Sequence, residues 1–185
     1  MQDDPVIEPN AGAGSARCQL HAVLVRILDT GVLLLGESGV GKSECALDLI
    51  TRGHQLIADD AVEILAVGGS LLGKAPRLTS HLLEIRGLGI INVLEVFGEN
   101  SICGESMVDL CIELKRFVEA RPLEDVVSEF EVAGLKLPKL VLPVSPGRNL
   151  ATLVETAVRL HRIGGTSETS KRLIEEHTRL MHRIP

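Results

Sequence analysis

Eight consecutive residues constrain this chain more than any others: Gly36-Glu37-Ser38-Gly39-Val40-Gly41-Lys42-Ser43. They satisfy G-x-x-x-x-G-K-[ST], the P-loop pattern, at every fixed position. Gly31-Val32-Leu33-Leu34-Leu35 ahead of them is a short apolar run behind a turn, which predicts a buried strand. From Glu44 to Ile50 apolar residues recur three and four apart, which predicts a helix. Strand, glycine-rich loop and helix come in the order the motif requires. The competing reading, a glycine-rich turn before an ordinary helix, is disfavoured by the full motif in that context. In a P-loop, glycines let backbone N–H groups converge on phosphate oxygens. The helix adds the positive end of its dipole. Lys42 then reaches the outer phosphates, and the Ser43 hydroxyl takes a place on Mg²⁺.

The rest of the composition narrows the class. At 185 residues the chain suits one compact α/β domain with a real core. Only 2% of residues are aromatic, with no Trp and no Tyr, so Leu, Ile and Val must fill that core. Base stacking on an aromatic platform is disfavoured on the same count, and the net charge of -6 argues against a nucleic-acid partner. Cys18, Cys45, Cys103 and Cys111 show no C-x-x-C spacing. Reduced thiols and a cytoplasmic location are therefore expected. No apolar run approaches the roughly 18 residues of a membrane span, and no signal-peptide core is visible.

Residues 1–16 are polar and carry Pro5, Pro9, Gly12 and Gly14, which predicts a disordered leader or linker remnant. Residues 17–185 form the expected domain. Gln19 to Leu28 reads as one strand carrying His21, with a turn at Asp29-Thr30-Gly31. The P-loop helix is expected to reach about Arg52 and stop at Gly53. Gln55 to Ala58 is a short strand ending at Asp59-Asp60. Ala61–Val67 and Ser70–Leu72 flank Gly68-Gly69 as a hairpin. Ile90 to Val93 reads as extended, Val108 to Leu114 as a strand, and Leu140 to Leu142 as a short strand ending at Pro143. Arg116 to Val132 gives no clear pattern. Asn149 to about Ile163 is an amphipathic helix, broken by Gly164-Gly165, and Thr166 or Ser167 is placed to cap a last helix to about His182.

Four further features carry chemistry. Asp59-Asp60 closes a strand, and strand C-terminal ends face the ligand crevice of an open α/β sheet. A carboxylate there accepts a hydroxyl proton or holds Mg²⁺; otherwise the pair is a solvated turn. His21 alone reads more readily as an ordinary strand histidine. Glu84 and Arg86 straddle Ile85, so an extended backbone puts them on one face, as site residues or as a plain ion pair. Arg148, beside Gly147, is placed to bind phosphate or to sit at a helix start as a surface residue.

Together these stretches resemble the bifunctional HPr kinase/phosphorylase family, specifically its catalytic domain. Gly53-His54-Gln55-Leu56-Ile57-Ala58-Asp59-Asp60 is similar to the family's segment ending in the Asp pair. Leu83-Glu84-Ile85-Arg86-Gly87-Leu88-Gly89-Ile90-Ile91-Asn92 is similar to its signature stretch, and Pro143-Val144-Ser145-Pro146-Gly147-Arg148-Asn149 to its second characteristic loop. The likeness runs from about His21 to the C-terminal helices. It implies a P-loop kinase domain with a central mixed β-sheet and C-terminal helices. It implies ATP, Mg²⁺, the phosphocarrier protein HPr as substrate, and a hexamer. By the resemblance, Lys42 is the P-loop lysine, Ser43 and Glu84 are Mg²⁺ ligands, and Asp60 takes the proton of the substrate serine and returns one in the reverse direction. Asp59 is its neighbour, His21 the active-site histidine, and Arg121 a further catalytic arginine. Segment 83–92 corresponds to the region needed in both directions, and segment 143–148 to the loop linked to dephosphorylation. The chain departs from the family at Ser145, where many members carry a basic residue. Longer members also have an N-terminal domain, so a chain with only a short leader reads as truncated or as a short natural form.

The expected activity is thus ATP-dependent phosphorylation of a serine of HPr, with dephosphorylation as the second direction. Two other readings stay open from the residues alone. One is a P-loop kinase of a small metabolite. The other is an adenine-nucleotide switch, since the guanine-specific N-K-x-D stretch is absent from the sequence.

Overall fold

The structure is a computed structural model and describes residues 17–116 and 127–164. Its centre is a six-stranded mixed sheet. The strands are β2 (Val23–Ile27), β3 (Thr30–Leu35), β4 (Gln55–Ala58), β10 (Leu110–Arg116), β11 (Val127–Val132) and β12 (Leu135–Val144), in the order β11-β12-β10-β3-β2-β4. β10 runs parallel to both β3 and β12, and the other pairings are antiparallel. A second, antiparallel sheet has the order β1-β5-β6-β9, from β1 (Arg17–His21), β5 (Ala61–Val67), β6 (Ser70–Lys74) and β9 (Glu105–Met107). β7 (Leu82–Ile85) and β8 (Gly89–Asn92) make a separate hairpin.

Strand alternation divides the core into two layers. Val25, Val32, Leu34, Ile112 and Leu114 face the helices α1 (Lys42–Thr51) and α3 (Leu150–Arg162) and pack with Leu49, Ala151, Val154 and Val158. Leu24, Leu33, Leu35 and Cys111 face the second sheet and pack with Leu20, Val62, Ile64 and Leu71. The central sheet is therefore apolar on both faces, as a near-continuous run such as Val32-Leu33-Leu34-Leu35 requires. Burying each of these side chains contributes about 1.5–3 kcal/mol, before the cost of ordering them.

Several elements differ from the sequence reading. Gln19–Leu28 is not one strand: β1 lies in the second sheet and β2 in the central one, with buried Ala22 between them. The chain crosses back at the same place, since β4 ends in the central sheet and β5 begins in the second. Ala22 N–H donates to the Asp60 carbonyl at 3.3 Å and ties the two crossings together. Extended structure stops at Asn92, because its side chain accepts the Leu94 and Glu95 N–H groups and caps a short helix, α2 (Val93–Phe97). β10 begins at Leu110 rather than Val108. β12 is ten residues long and continues through Pro143; past Leu140, among the described residues, only β10 lies beside it, where a missing N–H is tolerated. The expected hairpin is present as β5 and β6, with both Gly68 and Gly69 at positive φ. The leader, residues 117–126 with Arg121, and the last helix expected after Thr166 lie outside the described residues.

Candidate active site

The P-loop joins β3 to α1. Gly36 and Gly39 hold positive φ, 141° and 73°, and a Cβ on Gly36 would lie 2.6 Å from the Leu114 carbonyl oxygen. Glycine is therefore required by both conformation and close approach. Val40 is buried in the helix-side core and anchors the loop. Gly41 caps α1 with φ 107° and supplies no side-chain acceptor, so no capping side chain covers the helix N-terminus. Lys42 is buried. Its Nζ donates to the carbonyls of Gly36 at 2.8 Å and Glu37 at 3.3 Å and lies 3.5 Å from His21 Nε2. Burial holds its pKa below the usual lysine value, and the fields of Asp60 and Asp59 act against that shift.

The two aspartates have opposite surroundings. Asp59 is buried; its Oδ1 accepts from the Ser43 hydroxyl at 3.0 Å and its Oδ2 from the Glu84 N–H at 2.9 Å. Burial raises its pKa, while the bonds from Glu84 and Ser43 lower it. Asp60 takes a left-handed backbone, φ 64°, while the Ala61 N–H closes a tight turn on the Asp59 carbonyl at 2.7 Å. That turn sends the Asp60 side chain outward, 72% exposed, to meet His21 Nδ1 at 2.9 Å. The hydrogen bond of Nδ1 goes to the Asp60 backbone carbonyl at 3.1 Å, and in that tautomer His21 Nε2 is left to accept from Lys42.

A cleft of about 140 Å³ opens over these groups and is lined by His21, Ser38, Gly39, Gly41, Lys42, Ser43, Glu44, Asp59, Asp60, Glu84 and Arg86. Glu84 and Arg86 share the cleft face of the β7 edge, while Ile85 between them is buried. They are not ion-paired with each other among the described residues. Glu84 and Ser43 thus bring hard oxygen donors to one cleft, with Asp59 behind Ser43. This suits Mg²⁺, which takes one or two protein oxygens beside substrate phosphates. No group of three or more His, Cys, Asp or Glu among the described residues forms a metal cage.

Comparison with known proteins places the chain in a family. Residues 14–178 match the HPr Serine kinase C-terminal domain. The chain belongs to that family. The HPr kinase/phosphorylase of Caldicellulosiruptor bescii is 47% identical over 150 residues, covering 79% of this chain and 48% of that protein. HPr kinase/phosphorylase 1 of Oceanobacillus iheyensis is 47% identical over 163 residues, 83% of this chain and 53% of that one. The chain spans about half the length of these curated relatives. The solved structure of the Hpr(Ser) kinase/phosphatase from Coxiella burnetii is 36% identical with a TM-score of 0.72, covering 79% of this chain and 97% of that one.

Within this domain, the fold brings together Lys42, Ser43, Asp59, Asp60, His21 and Glu84, six positions spread over four stretches of sequence. It does not bring Arg148 to them. Arg148 is exposed on the turn after β12 and does not line the cleft. Asn149, placed at the helix start by the sequence but given no role there, does more: its Oδ1 caps α3 at the Thr152 N–H and accepts from Arg52, and its Nδ2 donates to Asp48. The loop of residues 145–149 is thereby fastened to the P-loop helix. The D-x-x-x-R spacing of Asp48 and Arg52, one helical turn apart, was the available signal. The contact of Arg116, whose Nη2 donates to the Gly39 carbonyl of the P-loop, was also missed, and no local pattern would have found it. Among the described residues, no helix is long and apolar enough to cross a membrane.

Proposed function

We propose that this domain transfers the γ-phosphoryl group of ATP to a serine hydroxyl of HPr, and that it also runs the reverse removal. The supporting observation is the pairing of a P-loop cradle with an exposed carboxylate, Asp60, at its mouth. The substrate serine oxygen forms a bond to the γ-phosphorus as the bond to the β–γ bridging oxygen breaks. Its proton passes to Asp60, and ADP leaves. Asp60 suits the task because it is solvent-facing and oriented by His21. Lys42 and the α1 N-terminus offset phosphate charge. Ser43 and Glu84 would hold Mg²⁺, which neutralises the phosphates when bound, and Asp59 would orient Ser43. The phosphoprotein substrate is the one named for the relatives.

Further assignments belong to this reading. Residues 17–185 act as one catalytic domain, residues 1–16 as a leader, and the protein works in the cytoplasm as a homo-hexamer. Arg121 and Arg148 are proposed as additional cationic contacts, catalytic and phosphate-binding respectively. The deciding experiment is incubation with ATP, Mg²⁺ and HPr, followed by mass spectrometry of the phosphosite. A single phosphoserine on HPr is expected. No transfer to HPr, with transfer to a free metabolite, would place the domain among small-molecule kinases instead.

A further inference from the structure

β10 is the shoulder on which the P-loop rests. Gly36 packs against the Leu114 carbonyl, and Leu114 is buried with Val40 in the helix-side core. Strand alternation puts Arg116 on the same face as Leu114, two residues further toward the ligand end. Its guanidinium reaches the P-loop, where Nη2 donates to the Gly39 carbonyl. A second guanidinium, that of Arg86, meets the same residue: a Cβ on Gly39 would lie 2.9 Å from Arg86 Nη2. Among the described residues no carboxylate lies within ion-pair distance of either arginine. Arg86 lines the cleft; Arg116 does not.

The consequence lies in one peptide plane. The Gly39–Val40 bond is trans, so its C=O and N–H point in opposite directions. Arg116 holds the oxygen, and the N–H of Val40 donates to the Glu37 carbonyl at 3.2 Å. The same Glu37 carbonyl accepts from Lys42 Nζ at 3.3 Å. A loop with three glycines at positive φ has several accessible peptide orientations, and an outside anchor restricts them.

We infer that Arg116 is a positioning residue for the nucleotide, fixing the Gly39–Val40 peptide so that the P-loop is ordered before phosphates enter. This rests on the proposed nucleotide-binding function. Preorganisation of this kind acts on uniform binding, so its loss raises KM and Kd and leaves kcat. The experiment measures ADP binding by titration calorimetry, and ATP kinetics with HPr, for the parent, Arg116→Met and Arg116→Lys. Arg116→Gln replaces the Met variant if thermal melts show that the latter is unfolded. Arg116→Met is expected to weaken ADP binding and raise the ATP KM roughly tenfold, as for loss of a charged hydrogen bond near the surface. Its kcat is expected to hold within about twofold. Lysine keeps one reaching donor and is expected to recover most of the loss. Unchanged Kd, a fall in kcat alone, or a lysine variant as weak as methionine would each overturn the inference. A parent chain that binds no ADP would instead sink the nucleotide reading itself.

Discussion

The His21 ring and the Asp60 carboxylate meet at 2.9 Å where two chain segments change sheets. Neither residue is near the other in sequence. β1 ends at His21 and β4 ends just before Asp59, and the crossings are bonded through the Ala22 N–H and the Asp60 carbonyl. The corner needed to leave one sheet for the other is also what splits the aspartate pair. It turns Asp59 inward to Ser43 and Asp60 outward to His21. Two adjacent carboxylates therefore have different environments and different expected roles.

Removing the P-loop amine tests the cradle. Lys42→Ala is expected to cost on the order of 10²–10³ in phosphoryl-transfer rate, the usual loss for a transition-state charge stabiliser. Its circular dichroism is expected to match the parent, since Val40 and the α1 core contacts are untouched. Near-parental turnover would remove Lys42 from the phosphate site.

Glu84→Gln keeps the shape and removes the charge. Because Glu84 faces the cleft and is not paired with Arg86, its charge is available to a cation. The Mg²⁺ concentration for half-maximal activity is expected to rise several-fold while the melting temperature stays the same. A metal titration that overlays the parent's would leave Glu84 without a metal role.

The Asp59 carboxyl is held above its usual range, chiefly by burial. A carboxyl raised in the folded state takes up its proton sooner there than in the unfolded chain. This group's contribution to stability therefore increases as pH falls through its raised value, and levels off below the unfolded value of about 3.9. Asp59→Asn cannot titrate. Urea unfolding of both proteins at about pH 7 and about pH 4.5 is expected to move the difference in the parent's favour at the lower pH. The same difference at both values would rule out a raised Asp59.

Arg148→Ala tests an expectation taken from the family resemblance rather than from the cleft. Arg148 is exposed on a turn whose far end, Asn149, is clasped by Asp48 and Arg52. Phosphate removal from phosphoserine-HPr is expected to fall several-fold more than HPr phosphorylation. Both directions are measured on one preparation; equal losses would take away the special role.

How much of this was legible in sequence follows from what each feature depends on. The P-loop, β4 and the β5–β6 hairpin are local, set by glycine positions and apolar runs, and they read correctly. The break at Ala22 is not local. Residues 17–27 favour extended structure throughout, and only the packing of two sheets decides that β1 and β2 belong to different ones. Arg116 was invisible for a similar reason. Its role depends on a parallel pairing of β10 with β3 that brings it to Gly39, 77 residues away. The Asp pair was found at the end of β4, and the family resemblance already singled out Asp60 as the base; what the sequence did not show is that the turn at Asp60 sends Asp59 inward to Ser43 and the Glu84 N–H.

Asp60→Asn bears most directly on the mechanism. A serine hydroxyl is a weak nucleophile until its proton has an acceptor, and Asp60 is an exposed carboxylate of the cleft, set beside His21. Asparagine keeps the size and the left-handed backbone tolerance but loses the basicity. ADP affinity is expected to match the parent, since Lys42 and the loop are untouched, while transfer to HPr at saturating Mg²⁺ falls by roughly 10²–10⁴. Asp59→Asn is the contrasting variant. It removes the acceptor of the Ser43 hydroxyl, so its defect is expected in the Mg²⁺ requirement and to be relieved in part by excess metal. Excess Mg²⁺ has nothing to restore in Asp60→Asn. The assignment of Asp60 as the base fails if Asp60→Asn phosphorylates HPr at the parent rate, or if Asp59→Asn reproduces the whole loss at saturating metal.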